Sequence, residues 1–364
     1  MRFTYFLLAI ILFIYGIIAA REFLYPIAFG VLLAYLLFPV ANFLEMKGVP
    51  RILSIIISIL FSLIVVAGAG FFIYDQFTTL FSDFPELKRQ AISNIDSYQH
   101  SLENVFGFQD DFLDQYVKQW VTGFFEDIPQ NFNAIFTATT GTLLRIFLMP
   151  VYIFLFLYYR TKFAYFILKV VPDDKERVTI KILRDISTVV TRYMGGVVIV
   201  VSILCLLNSF GLYLVGMKYP IIFGVISALI NFIPYFGTLM GGAVPLLFAL
   251  LIGETPLLAV RVIILFIIIQ FTENNILTPN IVGSSLKINP FFIIFSLIVG
   301  AMIWGIPGML VVVPFLAMLK RIFKNFDSLQ PYAFLLGTRG TQKHSISMRN
   351  LKSYFSKMKN KFKN

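Results

Sequence analysis

Long apolar runs dominate the chain. The first covers 3–20, the second 23–44 with Pro26 and Pro39 near its ends, and the third 52–74. Each approaches or exceeds the roughly 20 residues that cross about 30 Å of hydrocarbon. A signal peptide is the alternative for the first run. It would have a shorter core and small residues at its cleavage site, whereas Ile18-Ala19-Ala20 puts a large residue there and another apolar run follows at once. From Asp75 the character changes. Apolar residues recur at helical spacing, first Leu87, Ala91, Ile95, Tyr98, Leu102 and then Leu113, Tyr116, Val117, Trp120, Phe124. That pattern predicts amphipathic helices outside the membrane. A fourth span is expected over 143–159. Val178, Ile182, Ile186, Val189 and Tyr193 form one face of a basic amphipathic helix, most simply lying along the membrane interface. A fifth span follows over 194–216.

The remaining apolar segments come in a repeating order. A span (194–216) leads through Pro220 to a pair of runs, 221–233 and 239–252, broken at Pro234-Tyr235-Phe236-Gly237. Another span (257–271) leads through a polar stretch and Pro290 to a second pair, 291–304 and 309–319, broken at Gly305-Ile306-Pro307-Gly308. One span plus a hairpin ends on the face opposite to its start, so the second unit begins inverted, an arrangement found in many secondary transporters. The paired runs, at about 1.5 Å per residue, fall short of a bilayer. Re-entrant hairpins with tips near the midplane are therefore expected, the alternative being the turns of ordinary two-span hairpins. The fold class predicted is an all-α integral membrane protein of about eight membrane segments, with two Pro/Gly-broken helical hairpins in an inverted-repeat C-terminal core. Its organisation is 1–74, three N-terminal spans; 75–141, an acidic extracytoplasmic helical insertion; 142–193, the fourth span and a cytoplasmic amphipathic segment; 194–320, the repeat core; and 321–364, a basic cytoplasmic tail.

Composition agrees with this pattern. Of 364 residues, 58% are hydrophobic and 13% charged, and the mean hydropathy is +0.83; soluble domains carry about a quarter charged residues. The net charge of +11 is unevenly spread. Residues 75–141 hold ten acids against three bases, 160–192 eight bases against four acids, and 320–364 eleven bases against one acid. By the positive-inside rule both termini are cytoplasmic and the acidic insertion is outside. Met348, Leu351, Phe355, Met358 and Phe362 follow helical spacing among the tail's lysines, which suits anionic lipid better than nucleic acid. One cysteine, Cys205, excludes an intrachain disulfide, and His100 and His344 lie outside the apolar runs, so no metal site is expected.

Polar groups within apolar stretches are costly and mark function. Glu273-Asn274-Asn275, followed by Pro279 and Gly283, places a carboxylate beside amide and carbonyl oxygens. It suits proton or cation handling, or the plain end of a helix in water. Arg192 is positioned to pair with Glu273, or to sit as a positive-inside residue. Asn208 lies mid-span, facing a neighbouring helix or a solute. The tips offer Asn231, Pro234, Tyr235 and Gly237, and Gly305, Pro307 and Gly308. Enzymatic readings fail for want of their motifs: there is no His-Glu-x-x-His, no Gly-x-Ser-x-Gly, no Gly-x-Gly-Asp partner for Tyr74-Asp75, and no phosphate-binding Gly-x-x-x-x-Gly-Lys loop. No enzyme activity and no cofactor are expected.

One ordered set of residues resembles the autoinducer-2 exporter (AI-2E) family of permease-like proteins. It comprises Arg192-Tyr193 with Gly195-Gly196, Asn231 through Gly237, Pro245, Glu273-Asn274-Asn275, Pro279 through Gly283, Leu286, Pro290, Gly300, Gly305, Gly308 and Pro314. Gly196 departs from the Gln that the family often carries. The resemblance implies a multi-pass transporter of the bacterial inner membrane, exporting a small polar solute such as the quorum-sensing signal autoinducer-2. Na⁺(Li⁺)/H⁺ antiport is the alternative within the family, and a non-transporting membrane scaffold the alternative outside it. Expected partners are membrane lipids, a small-molecule solute or cation, and further copies of the chain in a homo-oligomer, with no nucleic acid.

Overall fold

The computed structural model describes residues 2–106, 116–136, 140–283 and 287–338, so Leu286 and most of the basic tail lie outside the described residues. Every regular element among them is helical. The N-terminal helices are α1 (Arg2–Ala19), α2 (Arg21–Met46) and α3 (Arg51–Ser82), followed by α4 (Phe84–Phe106) and α5 (Lys118–Phe136) of the insertion. Then come α6 (Thr140–Tyr158), α7 (Arg160–Val170) and α8 (Glu176–Leu214). The first hairpin is α9 (Pro220–Ile230) and α10 (Phe236–Ile252). After it run α11 (Pro256–Thr272), a π-helical turn Glu273–Leu277 and α12 (Thr278–Ile281). The second hairpin is α13 (Pro290–Trp304) and α14 (Ile306–Asn325), and α15 (Gln330–Leu335) closes the described chain.

Proline sets several of these starts. Pro220, Pro256 and Pro290 each open a helix, where the missing N–H costs nothing and the fixed φ is already helical. The Asn289 side chain caps α13 by accepting from the Phe291 N–H at 3.1 Å.

Among the described residues five helices are long and apolar enough to cross a membrane: α2, α3, the helix ending in α8, α11 through α12, and α14. A bent pair, Leu148–Tyr158 with α7 at 58°, makes six if it counts as one span. That number does not confirm the expected count of about eight membrane segments. Part of the difference lies in the hairpins, whose arms are unequal: α9 and α13 have 11 and 15 residues, α10 and α14 have 17 and 20. At 20 residues α14 is about 30 Å long, enough to cross. Large apolar side chains face outward on α3, α8 and α13. Ile64, Phe71, Leu206 and Met302 are 71%, 75%, 73% and 78% exposed, which suits lipid and not water.

Two expected boundaries fall inside continuous helices. The backbone runs through Asp75 to Ser82 in α3, and through Arg192 to Leu214 in α8. The shift from apolar to charged marks where the surroundings change, while neither 75–82 nor 176–192 holds a Gly or Pro to break the helix. At about 1.5 Å per residue the 39-residue α8 is about 58 Å long, twice the hydrocarbon thickness. The segment read as a separate interfacial helix is therefore an extension of the span.

Packing divides into linked clusters. Ala34, Leu37 and Ala41 of α2 meet Ile55 and Ile59 of α3 and Ile153 and Leu157 of α6. At one end of this N-terminal bundle Arg160 pairs with Glu45 at 2.5 Å and lies over the Phe38 ring at 5.0 Å. Ala28 and Leu32 of α2 join Val190 of α8 and Val311 of α14, connecting the bundle to the C-terminal core.

The insertion caps that core. Leu87, Ala91 and Ile95 of α4, the expected face, pack with Leu212, Met217, Ile222, Phe248 and Ile252. On α5 the buried residues are Val121 and Phe125, while Tyr116 and Trp120 are exposed. Edge contact of Phe125 with Phe84 at 4.9 Å fixes this face, one step round the helix from the one expected. Asn94 Nδ2 donates to the Leu251 and Gly253 carbonyls at 2.9 and 3.1 Å, and Tyr98 Oη to the Leu250 carbonyl at 3.1 Å. The last turn of α10 leaves such carbonyls without helical partners. Tyr219, between α8 and α9, donates to Asp83; desolvation and then this bond push its phenol well above the ordinary tyrosine range. Asn94→Ala orphans two carbonyls and should cost about 1–3 kcal/mol. Thermal melting of the purified protein checks this, and an unchanged midpoint would remove the capping role.

Candidate functional site

A cavity of about 290 Å³ opens in the C-terminal core. Tyr193, Val197, Val200 and Val201 of α8 form one wall, and Ile293 of α13 with Val313 of α14 another. The first hairpin's tip contributes Asn231, Phe232, Pro234 and Tyr235. The π-helical turn and the chain just beyond it contribute Glu273, Asn274, Thr278, Val282, Gly283 and Lys287. Six of the residues singled out from sequence thus converge: Asn231, Pro234, Tyr235, Glu273, Asn274 and Gly283.

The local chain explains how they are presented. Pro279 has no N–H to give the carbonyl four residues back, Asn275, and its ring crowds that turn. The helix widens into the π-turn Glu273–Leu277 just before it, a distortion frequent at functional sites. Asn275 is exposed, does not line the cavity, and donates its side-chain amide to the Phe271 carbonyl at 2.8 Å. Its neighbour Glu273 points the other way. It is 8% exposed, and among the described residues it is the sole buried carboxylate. Gln270 Nε2 donates to Glu273 Oε2 at 2.9 Å.

The expected Arg192–Glu273 pair does not form. Arg192 is exposed on α8, whereas Tyr193 lines the cavity. One residue turns the side chain by about 100° around a 3.6-residue helix, so both cannot share the wall.

Strain is concentrated at the first tip. Tyr235 holds φ 64° and ψ −44°, and the Phe236 N–H bonds the Pro234 carbonyl at 2.8 Å. This is a γ-turn of the rare, strained hand. A non-glycine residue there costs about 1–3 kcal/mol and persists only where its surroundings enforce it. Gly237 follows because a Cβ would stand 2.3 Å from the Asn231 Cα. Tyr235→Gly should release that strain, holding or raising the melting temperature by a few degrees, while removing a phenol from the cavity and slowing transport. Parallel melting and flux measurements check it; lower stability with unchanged flux would reverse the assignment.

Beside the cavity lies a crevice of about 10 Å³, room for about one water. Asn208, Ser227, Asn231, Gln270 and Glu273 line it, so Asn231 and Glu273 belong to both spaces. Asn208 is 3% exposed. Its Nδ2 reaches the Gly224 carbonyl of α9 at 3.5 Å, and its Oδ1 is buried with no hydrogen-bond partner. A buried oxygen left so costs about 1–3 kcal/mol.

With this geometry in hand, comparison with known proteins is decisive on kinship. A family model described as AI-2E family transporter matches residues 7–328. The chain belongs to the AI-2E transporter family. This AI-2E family member is 31% identical over 313 residues to YrrI of Bacillus subtilis, covering 83% of the chain and 86% of that relative. It is 28% identical over 312 residues to YueF of the same organism, covering 83% of each. A relative in Borreliella burgdorferi is 26% identical over 340 residues, covering 92% of the chain and 90% of that relative. All three carry provisional names as transport proteins. The chain is thus a multi-span membrane protein of a bacterial transporter family.

In this AI-2E member the second hairpin's tip lies away from the cavity, which only its arms wall. Trp304 Nε1 donates to the Ile17 carbonyl of α1 at 3.3 Å, and Trp304 packs against the cluster of Ala28, Leu32, Val190 and Val311. Gly305 takes φ 66° and ψ −142°, a conformation essentially reserved for glycine. Pro307 sits in the first turn of α14. Gly308 meets Gly300 backbone to backbone, its position for a Cβ lying 2.0 Å from the Gly300 carbonyl oxygen. Gly305, Pro307 and Gly308 thus shape the turn and close packing of the second hairpin, whose Trp304 reaches α1. Pro279, outside the cavity lining, shapes the helix that presents Glu273. Gly196 lies close against the cavity wall: a Cβ there would stand 3.0 Å from the Val282 Cα, so a larger residue requires that wall to shift.

Four further polar residues belong to these spaces: Gln270, Ser227, Thr278 and Lys287. Gln270 stands three residues before Glu273, one helical turn away, and that spacing was its one available signal. Lys287 carried none, because its place depends on how the loop before α13 folds back.

Proposed function

We propose that the chain is a secondary exporter of a small polar solute, acting in the bacterial inner membrane with both termini cytoplasmic. The observation that carries this reading is the pairing of one buried carboxylate, Glu273, with a cavity at a broken helix and a strained hairpin tip. Broken backbone at membrane depth is tolerated where protein or a water-filled cavity satisfies it. A space of about 290 Å³ sits at the lower end of small-molecule sites. Autoinducer-2, small and hydroxylated, fits that class. Asn231, Asn274 and Tyr235 exchange the solute's water hydrogen bonds for protein ones. Glu273 takes up a proton as the solute leaves. The hairpin and π-turn that carry these groups move against the scaffold of α2, α3 and α6 to alternate access.

A second reading, cation–proton antiport, is favoured by one feature. The crevice beside Glu273 offers the carboxylate, the orphaned Asn208 Oδ1 and the Asn231 amide around a volume the size of one dehydrated ion.

Purified protein in liposomes holding a pH-sensitive dye separates the two. The expected result is efflux of labelled autoinducer-2 accompanied by proton movement, with no proton signal when Na⁺, Li⁺ or K⁺ is added alone. A cation-driven proton signal without solute flux would favour antiport. Movement of neither would return the chain to a scaffolding role.

A further inference from the structure

A second cavity, of about 380 Å³, lies at the C-terminal end of α14. Lys287, Lys320, Arg321 and Lys324 line it together with Gln330, Phe334 and Thr338, and no acid does so among the described residues. Three of the cations come from the last turns of α14, where they also complement the helix dipole. The fourth comes from elsewhere. Lys287 precedes α13, with its backbone at φ 41°, a left-handed conformation few non-glycine residues adopt. Its carbonyl accepts from the Lys320 ammonium. An antiparallel bridge joins Ile288 to Gly337, and the Asn289 N–H bonds the Leu336 carbonyl at 2.9 Å. These ties hold the Lys287 loop against the C-terminal segment and bring a fourth positive charge to the three on α14. Like charges gathered in one pocket repel one another. A bound dianion or monoanion reverses that balance.

The length of α14 points to the source of the anion. The 20 residues of α14 match the hydrocarbon thickness, so its last turns reach the headgroup layer. Beside them α15 exposes Tyr332, Phe334 and Leu335 at 57%, 61% and 57%, an apolar foot suited to the interface. Basic pockets between membrane helices at this depth take phosphate headgroups, and arginine grips phosphate with two parallel hydrogen bonds.

We infer that this pocket binds the phosphate of an anionic phospholipid, and that the bound lipid steadies the wall of the solute cavity. Lys287 is the link, since it lines both cavities. The binding site stands apart from any assignment of cargo.

The test monitors melting of the full-length protein in neutral detergent while phosphatidylglycerol, phosphatidylcholine or inorganic phosphate is added. Phosphatidylglycerol should raise the midpoint by several degrees and phosphatidylcholine by far less. Arg321→Gln with Lys324→Gln should abolish most of the rise, and Lys324→Arg should retain it. An equal rise with millimolar inorganic phosphate, competing with the lipid, would keep the anion site and overturn its lipid source. No rise with either, or an undiminished rise in the double variant, would overturn the site. Should the double variant not fold, acetylation of the wild type in nanodiscs decides. Lys287, Lys320 and Lys324 should be protected several-fold in phosphatidylglycerol relative to phosphatidylcholine, with Lys47 and Lys169 unaffected. Equal reactivity in the two lipids would sink the site, and protection that spares Lys287 would sink its link to the solute cavity.

Discussion

Glu273→Gln should abolish proton-coupled flux in proteoliposomes at every pH while leaving the protein folded. The substitution keeps the side chain's shape and an oxygen for Gln270 Nε2, so the helix and its π-turn should persist. It replaces a carboxyl 8% exposed by a neutral amide of the same shape, and the melting temperature should hold or rise slightly. The exchangeable proton is lost. A hydrogen bond to a charged group contributes about 1.5–3 kcal/mol, so a solute held by the carboxylate should also lose about 10- to 150-fold in apparent affinity. Glu273→Asp keeps the proton and shifts it by one methylene, and should recover part of the rate. Wild-type flux across the whole pH range in Glu273→Gln would remove the residue from the mechanism.

Gly308→Val should be the most damaging single change to the fold. A Cβ at Gly308 would stand 2.0 Å from the Gly300 carbonyl oxygen, and one at Gly300 would stand 2.7 Å from the Gly308 oxygen. Backbone meets backbone here, so no side chain can swing aside, and α13 must separate from α14. Overpacking costs about 1–3 kcal/mol where side chains can yield, so a loss at or above that range is expected. At about 2–4 °C per kcal/mol for larger domains, the midpoint should fall by about 6 °C or more, with poor yield in membranes. Gly195→Ala is the matched control. That helical glycine on α8 has nothing within 4 Å of its missing Cβ, and alanine there should stabilise by up to about 1 kcal/mol. Equal behaviour of the two variants would mean the hairpin contact is not what holds the arms together.

The residues legible in the sequence were those whose chemistry clashed with their surroundings. Glu273 stood out as an acid beside an apolar span. Asn231 through Gly237 stood out as a turn interrupting two apolar runs. Both reach the cavity. Hydrophobicity located the spans, yet it placed boundaries at Asp75 and near Tyr193 where α3 and α8 run on, because it reports the medium and not the backbone. The two hairpin tips looked equivalent as Pro/Gly breaks. Only tertiary packing separates them, one beside Glu273 and the other against α1. Lys287 illustrates the rest. Its membership of two cavities depends on long-range ties, among them the bridge between residues 49 positions apart, Ile288 and Gly337, which local pattern does not encode.

The docking of Trp304 on Ile17 gives the molecule its own optical probe. The chain has two tryptophans, Trp120 in the insertion and Trp304 at the second hairpin. With Trp120 replaced by Phe, all indole emission arises from one ring lodged between the transport core and the first N-terminal helix. Separation of those bodies during a cycle would break its bond to the Ile17 carbonyl and change its surroundings. Emission wavelength then tracks the relative motion of the two halves in unlabelled protein, in the same liposomes and on the same clock as the flux.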